Sequence, residues 1–386
     1  MQVHEVLFAL LRSEVCGQTV GDEVKNALSD AMLSQLYMLS NQHDLAHIVS
    51  RALEKLGVTG EESVLQDFKR KNLQAIYRYV RLDYEYKQLC SVLEQAQISY
   101  LPLKGAVLRV YYPQAWMRTS CDVDILIHEE DLDKAVDVLT KKLQYIADRK
   151  TSHDLGLFTP NGIHIELHFD LMEAMYFEQQ NKVLKDIWQT ARLVEDSNDH
   201  YQMLDEQFYF YHIAHMAKHV VRGGCGIKPF IDLWILNECV QHDRSLREKL
   251  LQEGGLLTFA QAAERLSRVW FAGQAPDKLT QTLERFVLNG GAYGNLENAV
   301  AVRQNRSGGK VRYLMSRVFE KRQIMVCYFP VLEKHGWLLP VFQVVRWVKL
   351  LFTGRMKQSV QELKATTGMK NETRIFAGKM LKELGL

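Results

Sequence analysis

Cys121-Asp122-Val123-Asp124-Ile125-Leu126-Ile127-His128 and Gly162-Ile163-His164-Ile165-Glu166-Leu167-His168-Phe169-Asp170 are the two segments that decide the fold. Side chains on a strand alternate between its faces. In the first segment Val123, Ile125 and Ile127 share one face, and Asp122 and Asp124 share the other. In the second, Ile163, Ile165, Leu167 and Phe169 stand opposite His164, Glu166 and His168. Two carboxylates side by side repel unless a cation lies between them or one takes up a proton. Glu166 is available as a third carboxylate from a neighbouring strand. Hard oxygen ligands on adjacent strands suit Mg2+ or Mn2+, which take their remaining ligands from water and substrate phosphates. Two such ions can clamp the attacking and leaving oxygens of a phosphoryl-type transfer.

Upstream, Leu101-Pro102-Leu103-Lys104-Gly105 ends a strand (ISYLPL) and opens a helix over GAVLRVYY. Backbone amides at a helix start attract phosphate, and Gly105 allows a close approach. Lys104 and Arg118 add positive charge for a triphosphate. Downstream, EEDLDKAVDVLTKKL has the spacing of an amphipathic helix, and DLGLFTPNGIHIELHFD is two alternating runs around Thr159-Pro160-Asn161-Gly162, a hairpin turn composition. An isolated Asp-x-Asp is more often a solvated strand face than a metal site. What makes this one specific is its order: strand, Lys-Gly, helix, Arg, Asp-x-Asp strand, then a hairpin strand with Glu.

Around this α/β module the chain reads as helix. Residues 1–95 repeat apolar positions at three-and-four spacing, as in Val3, Leu7, Leu10, Leu11 and Leu33, Leu36, Leu39. Residues 198–305 return to helices, with Gly223, Gly224 and Gly226 breaking the first pair. Residues 306–386 mix basic and aromatic residues, namely Arg312, Arg317, Lys321, Arg322, Trp337, Trp347, Lys349, Arg355 and Lys357. A helical pair packed on the body accounts for that tail, and the alternative is an interfacial helix in peripheral contact with a membrane. The expected organisation is a helical N-terminal region over 1–95, a core over 96–197, a helical domain over 198–305 and a helical tail over 306–386.

The 386 residues are 47% hydrophobic and 24% charged, which excludes a mainly disordered or collagen-like chain. Lys plus Arg number 48 against 46 for Asp plus Glu, so the net charge of +2 does not by itself announce a nucleic-acid binder. Cys16, Cys90, Cys121, Cys225, Cys239 and Cys327 show no C-x-x-C pair and read as reduced, mostly buried thiols. The first residues carry His4, Glu5, Arg12 and Glu14 where a signal peptide needs an uncharged core, and the longest apolar stretch, Trp337 to Thr353, holds Pro340, Arg346 and Lys349. These features predict a cytoplasmic protein with no integral membrane segment. His212, His215 and His219 fall on one helix face, but no Cys or carboxylate is in register to complete a zinc site.

The residues LPLKGAVLRVYY, MRTSCDVDILIHEEDLDKAVDVL and GIHIELHFDL, within about residues 97–240, resemble the core of the DNA polymerase β-like nucleotidyltransferase superfamily. The closest resemblance is to the bacterial group of uncharacterised nucleotidyltransferases, with its Lys-Gly, Arg, Asp-x-Asp and later Glu-Leu-His. It implies an α+β fold with a mixed sheet. It also implies that Asp122, Asp124 and Glu166 are catalytic and bind two Mg2+ or Mn2+ ions, with a nucleoside triphosphate such as ATP as substrate. Lys104, Gly105 and Arg118 would bind nucleotide. So would Lys218, His219 and Asp232, which with His215 match a His-x-x-Lys-His and following Asp in that group. The usual Gly-Ser or Gly-Gly is replaced by Lys104-Gly105, with 16 residues between it and Asp122, so the serine contact to phosphate is missing.

Three functions are compatible with this pattern. The first is transfer of a nucleoside monophosphate to a small-molecule, protein or RNA hydroxyl. The second is a non-catalytic scaffold on the same fold, because fold alone does not grant activity. The third is a toxin-like enzyme that modifies transfer RNA, since the Lys-Gly loop also resembles that of abortive-infection nucleotidyltransferases.

Overall fold

The protein, seen in a computed structural model, is described over residues 1–173, 177–352 and 356–386. Arg355 and the side chains of Cys327 and Lys357 lie outside the described residues. The fold is α+β, a mixed sheet flanked by helices on both sides in sequence. Helices α1 (Val3–Val15), α2 (Asp22–Ala27), α3 (Asp30–Gln42), α4 (Ala46–Lys55) and the long α5 (Glu62–Gln95) come first. The sheet follows as β1 (Tyr100–Pro102), β2 (Asp122–Ile127), β3 (Ile146–Lys150), β4 (Asp154–Phe158) and β5 (His164–His168). Between its strands lie α6 (Gly105–Leu108) and α7 (Leu132–Leu143).

Among the described residues the strand order is β1-β2-β5-β4-β3. Strands β2 and β5 are parallel, with Asp124 opposite Glu166, and the other pairs are antiparallel. The β4–β5 hairpin closes through Thr159–Gly162, where Gly162 has φ +76° and its N–H donates to the Thr159 carbonyl at 2.8 Å. Val123, Ile125, Ile127, Ile165 and Leu167 are at most 2% exposed and pack with Leu89 and Leu93 of α5 and Ala135 and Leu139 of α7. Burying each such aliphatic side chain contributes about 1.5–3 kcal/mol. That face fixes the strand register and leaves the carboxylates on the other side.

Two elements depart from expectation. The helix over GAVLRVYY is cut to the single turn α6, followed by a 3-10 turn at Arg109–Tyr111. Tyr112 precedes Pro113, which disfavours helical backbone, and it is extended at φ −77°, ψ 149°. Strand β3 was not signalled, because Ile146-Ala147-Asp148-Arg149-Lys150 is exposed throughout and charged, as suits an edge strand.

After β5 come α8 (Glu178–Leu184) and α9 (Ile187–Thr190), then a small ladder of β6 (Arg192–Leu193) with β7 (Tyr201–Gln202). Next are α10 (Asp205–Arg222), α11 (Lys228–Cys239), α12 (Arg244–Glu253), α13 (Leu257–Ala272), α14 (Lys278–Gly290) and α15 (Leu296–Arg306). The glycines between α10 and α11 are sterically required. A Cβ on Gly223 (φ +127°) would lie 2.8 Å from the Ala299 Cα, and one on Gly226 would lie 2.7 Å from the Ala292 Cα. This close approach seats the Gly291–Asn295 connection beside the sheet. The tail comprises α16 (Lys310–Val318), α17 (Arg322–Tyr328), α18 (Val331–Lys334), α19 (Leu339–Phe352), α20 (Met356–Gly368) and α21 (Asn371–Leu384).

One core cluster joins Leu7, Leu33 and Leu53 of the first helices to Phe210, Phe230 and Trp270 of the later ones, and to Met380 and Leu384 of α21. The last tail helix is thus packed on the body. No helix among the described residues is long and apolar enough to cross a membrane. The described cysteines are free, but the expectation of mostly buried thiols fails. Cys90 and Cys225 are buried, whereas Cys121 and Cys239 are exposed.

Candidate active site

The parallel pairing of β2 with β5 aligns Asp124 with Glu166, and Asp122 lies two residues earlier on the same face as Asp124. Asp124 is 3% exposed. Lys104 Nζ donates to its Oδ1 at 2.5 Å and stands 3.9 Å from Glu166 Oε2. His168, also buried, places Nε2 3.0 Å from Asp124 Oδ1 and 3.3 Å from Glu166 Oε2. His164 Nδ1 is 3.5 Å from Glu166 Oε1. The backbone of Lys104 takes φ +45°, rare for a residue with a side chain, and this bend sits beside the carboxylates.

The electrostatics separate the two aspartates. Burial, then the Asp124 charge, raise the Asp122 carboxyl to about 6. Burial also works to raise Asp124, but the Lys104 ammonium and the His168 hydrogen bond outweigh it and hold that carboxyl well below its ordinary value. Lys104 is itself pushed up: burial opposes its charge, and Asp124, Tyr211, Asp122 and Glu166 favour it more strongly. Even with Lys104 in place, Asp122 remains disfavoured as an anion, so the trio is short of positive charge. Asp124, Glu166 and His168 each present a ligand atom within 4.8 Å of the others. Two carboxylates and an imidazole so placed could hold a divalent cation, with Asp122 on the same strand face.

These residues open on a cavity of about 310 Å³, within the range of small-ligand sites. Lys104, Gly105, Arg118, Asp122, Asp124, Glu166, His219 and Asp232 all line it. Lys218 does not. Its Nζ reaches Glu173 Oε1 at 3.4 Å instead.

Arg118 is held more firmly than expected. Its Nε donates to both oxygens of Asp232, at 2.7 and 2.9 Å, and its Nη1 to the Thr119 carbonyl at 2.7 Å. Asp232 is fully buried and also accepts from Tyr112 Oη at 2.6 Å. Its partner is therefore Arg118 and not His219, whose ring packs edge-on against His215 at 4.5 Å. Burial lowers His219 to about 4 and His215 well below its ordinary value, so both present neutral imidazoles to the cavity. His212 gives its Nε2 to the Pro229 carbonyl at 2.9 Å, so the three histidines of α10 do not converge as a zinc set. Gly105 meets Ser120 and Arg109, where a Cβ would lie 3.3 Å from each, and the one-turn α6 carries little aligned dipole towards a phosphate.

Four contributors were given no role from the sequence. His168 ties Asp124 to Glu166, and Tyr211 faces Lys104 from α10. Lys228 lines the cavity and donates to Asp44 at 2.6 Å and Thr119 Oγ1 at 2.7 Å. Tyr293 arrives on the connection after α14, its Oη 3.6 Å from Cys121 Sγ. His168 was legible as the next residue on the carboxylate face. Lys228 and Tyr293 carried no local signal.

Carboxylates from two parallel strands lining a cavity with cations and neutral histidines suit transfer of a phosphoryl or nucleotidyl group. The chain belongs to the family described as uncharacterised nucleotidyltransferase, whose model matches residues 29–272, more than half of the chain. No curated protein and no solved structure matches it. The matched range runs from the start of α3 to the end of α13, so helices on both sides of the sheet are part of what the family shares.

Proposed function

We propose that the protein transfers a nucleoside monophosphate from a nucleoside triphosphate to an acceptor hydroxyl, on a polymerase β-like core. The observation that carries this is the alignment of Asp124 with Glu166, with Asp122 on the same strand face, all three lining the cavity. Mg2+ or Mn2+, when held by Asp122, Asp124 and Glu166, would neutralise phosphate charge and make the acceptor oxygen more nucleophilic. The acceptor oxygen attacks the α-phosphorus and the bond to the bridging oxygen breaks. Pyrophosphate leaves with that electron pair. Glu166, with its side chain 24% exposed, is the group placed to take the hydroxyl proton. Lys104 and Lys228 supply charge for the phosphates, Arg118 joins them under the control of Asp232, and His168 positions Asp124 and Glu166. His215 and His219 close the nucleotide side as neutral groups.

The direct test is incubation of the protein with Mg2+, cell extract and each labelled triphosphate in turn. Label should pass to an acceptor with the native chain and not with an Asp122→Asn/Asp124→Asn chain. Equal labelling by both would overturn the assignment.

For residues 306–386 the proposal adds peripheral contact with anionic lipid. This segment holds 16 Lys and Arg against five Asp and Glu, while residues 1–305 hold 32 against 41, so a basic tail follows an acidic body. Trp337, Val341, Val344 and Val348 recur at helical spacing and are 76, 56, 62 and 46% exposed. Phe342 and Val345 face the small cluster of Met325, Phe329 and Leu332. An exposed apolar stripe on a basic segment is what an interfacial helix needs.

A further inference from the structure

His153 and Asp154 have no part in the transfer chemistry, yet they form a second cluster with His168. The β4–β5 register sets Asp154 opposite His168. The N–H groups of Phe169 and Asp170 donate to the His153 carbonyl at 3.0 and 3.2 Å, which fixes His153 beside the end of β5. A ligand atom from each of His153, Asp154 and His168 lies within 4.8 Å of the other two. His153 Nε2 is 3.1 Å from Asp154 Oδ2 and 3.7 Å from Glu173 Oε1. Thr151 holds the rear of the cluster, with its Oγ1 3.1 Å from His153 Nδ1 and donating to Asp154 Oδ1 at 2.9 Å.

His168 supplies an independent observation. Its side chain is 4% exposed and its Nε2 faces Asp124, yet its Nδ1 is buried with no hydrogen-bond partner. A buried ring nitrogen without a partner is unfavourable, and native structures rarely leave one.

We propose that His153, Asp154 and His168 bind a divalent transition ion of the zinc class, taking His168 through Nδ1, with Glu173 beside the remaining position. Two imidazoles and a carboxylate suit a borderline ion such as Zn2+, whereas the oxygen-rich Asp122, Asp124 and Glu166 suit Mg2+. A metal-bound imidazole commonly gives its other nitrogen to a carboxylate, as His168 does to Asp124, and Thr151 would orient the other two ligands from behind. The ion would fix the ring that positions Asp124 and Glu166. Glu173 also receives Lys218 and Arg222, so it is a shared neighbour and the other three side chains carry the site.

This site does not depend on the nucleotidyltransferase assignment. The 386-residue chain is stripped with chelator and titrated with Zn2+ in excess Mg2+, and retained zinc is counted by elemental analysis after dialysis. A single zinc per chain is expected. His153→Ala and Asp154→Asn should each weaken binding by about tenfold or more. The Asp122→Asn chain should keep its zinc even if transfer is lost. Co2+ loaded in place of zinc should give visible ligand-field bands in the native chain. No retained zinc in the native chain would overturn the proposal. So would binding left unchanged by both His153→Ala and Asp154→Asn, which would mark an adventitious surface ion. If either variant does not fold, the native stoichiometry and the cobalt spectrum decide.

Discussion

Asp122 and Asp124 stand on one face of one strand, yet the protein treats them in opposite ways: Lys104 and His168 hold Asp124 as an anion, and Asp122 is left to resist ionisation. The difference has a measurable consequence. Asp122, raised from 3.8 to about 6, binds a proton more readily in the native chain than in the unfolded one. Its charge therefore costs stability above pH 6, and that cost disappears as pH falls through 6 towards 3.8. Asp122→Asn should raise the melting temperature of the metal-free protein at pH 7.5, by an amount worth on the order of 1 kcal/mol, while transfer falls by about a thousandfold or more. Asp124→Asn should instead lower the melting temperature, because it weakens the buried partnership with Lys104. Calorimetric scans of the two variants check both signs. A lower melting temperature for Asp122→Asn would contradict the electrostatic picture.

The Arg118–Asp232 pair predicts a stability defect where a phosphate-binding arginine would predict a kinetic one. Arg118→Ala leaves Asp232, fully buried, with Tyr112 still donating to it but no cation beside it, and breaking such a pair costs about 3–5 kcal/mol. Arg118→Ala/Asp232→Asn should recover part of that loss, giving a coupling of about 1–3 kcal/mol in a double-mutant cycle. Denaturant unfolding of the four chains measures it. If Arg118→Ala melts like the native chain and only KM for triphosphate rises, Asp232 does not depend on Arg118.

Acid should weaken the packing of α3 and α4 through His43 and His47. Burial lowers both to about 4, and their Nε2 atoms lie 3.2 Å from the Leu288 carbonyl and 2.9 Å from the Met117 carbonyl. Between pH 6.5 and 4 the unfolded chain binds protons that the native chain refuses, so stability falls with falling pH in that window. Each histidine contributes a loss of about 1–3 kcal/mol across it. Asp122 acts with the opposite sign, so the cleanest measurement is the melting temperature against pH in the Asp122→Asn background. There His47→Gln, which keeps a donor for Met117, should flatten the slope. An unchanged slope would show that His47 does not titrate in this range.

What could be read from the sequence follows from how local each signal is. The alternation in Val123, Ile125, Ile127 and in Ile165, Leu167 dictates which side chains meet the core, and with it the shared face of Asp122, Asp124 and Glu166. The Thr159–Gly162 turn carries its own chemistry, and the hairpin forms there. Strand β3 was not legible because an exposed edge strand needs no alternation. The partnership of Arg118 with Asp232 joins residues 114 positions apart, and no periodicity encodes it. Tyr293 reaches the cavity where glycines between α10 and α11 let residues 291–295 approach, a packing event invisible in either segment alone, and Lys228 enters it from the start of α11.

The tail offers the last test, because its charge and its exposed stripe act through different physics. Basic residues attract anionic lipid at long range and are screened by salt, whereas Trp337, Val341, Val344 and Val348 contribute by burial and are not. The protein should sediment with vesicles containing phosphatidylserine and not with neutral phosphatidylcholine vesicles, and binding should weaken between low and physiological salt. Trp337→Ser/Val344→Ser should reduce binding about tenfold or more by removing roughly 1.5–3 kcal/mol of apolar transfer per side chain. The stripe faces away from the Met325–Phe329–Leu332 cluster, so this double variant should melt like the native chain. Equal sedimentation with both vesicle types would overturn the preference for anionic lipid, and none with either would remove the membrane from the list of partners. Retention on immobilised RNA instead would assign the same basic surface to a nucleic-acid acceptor.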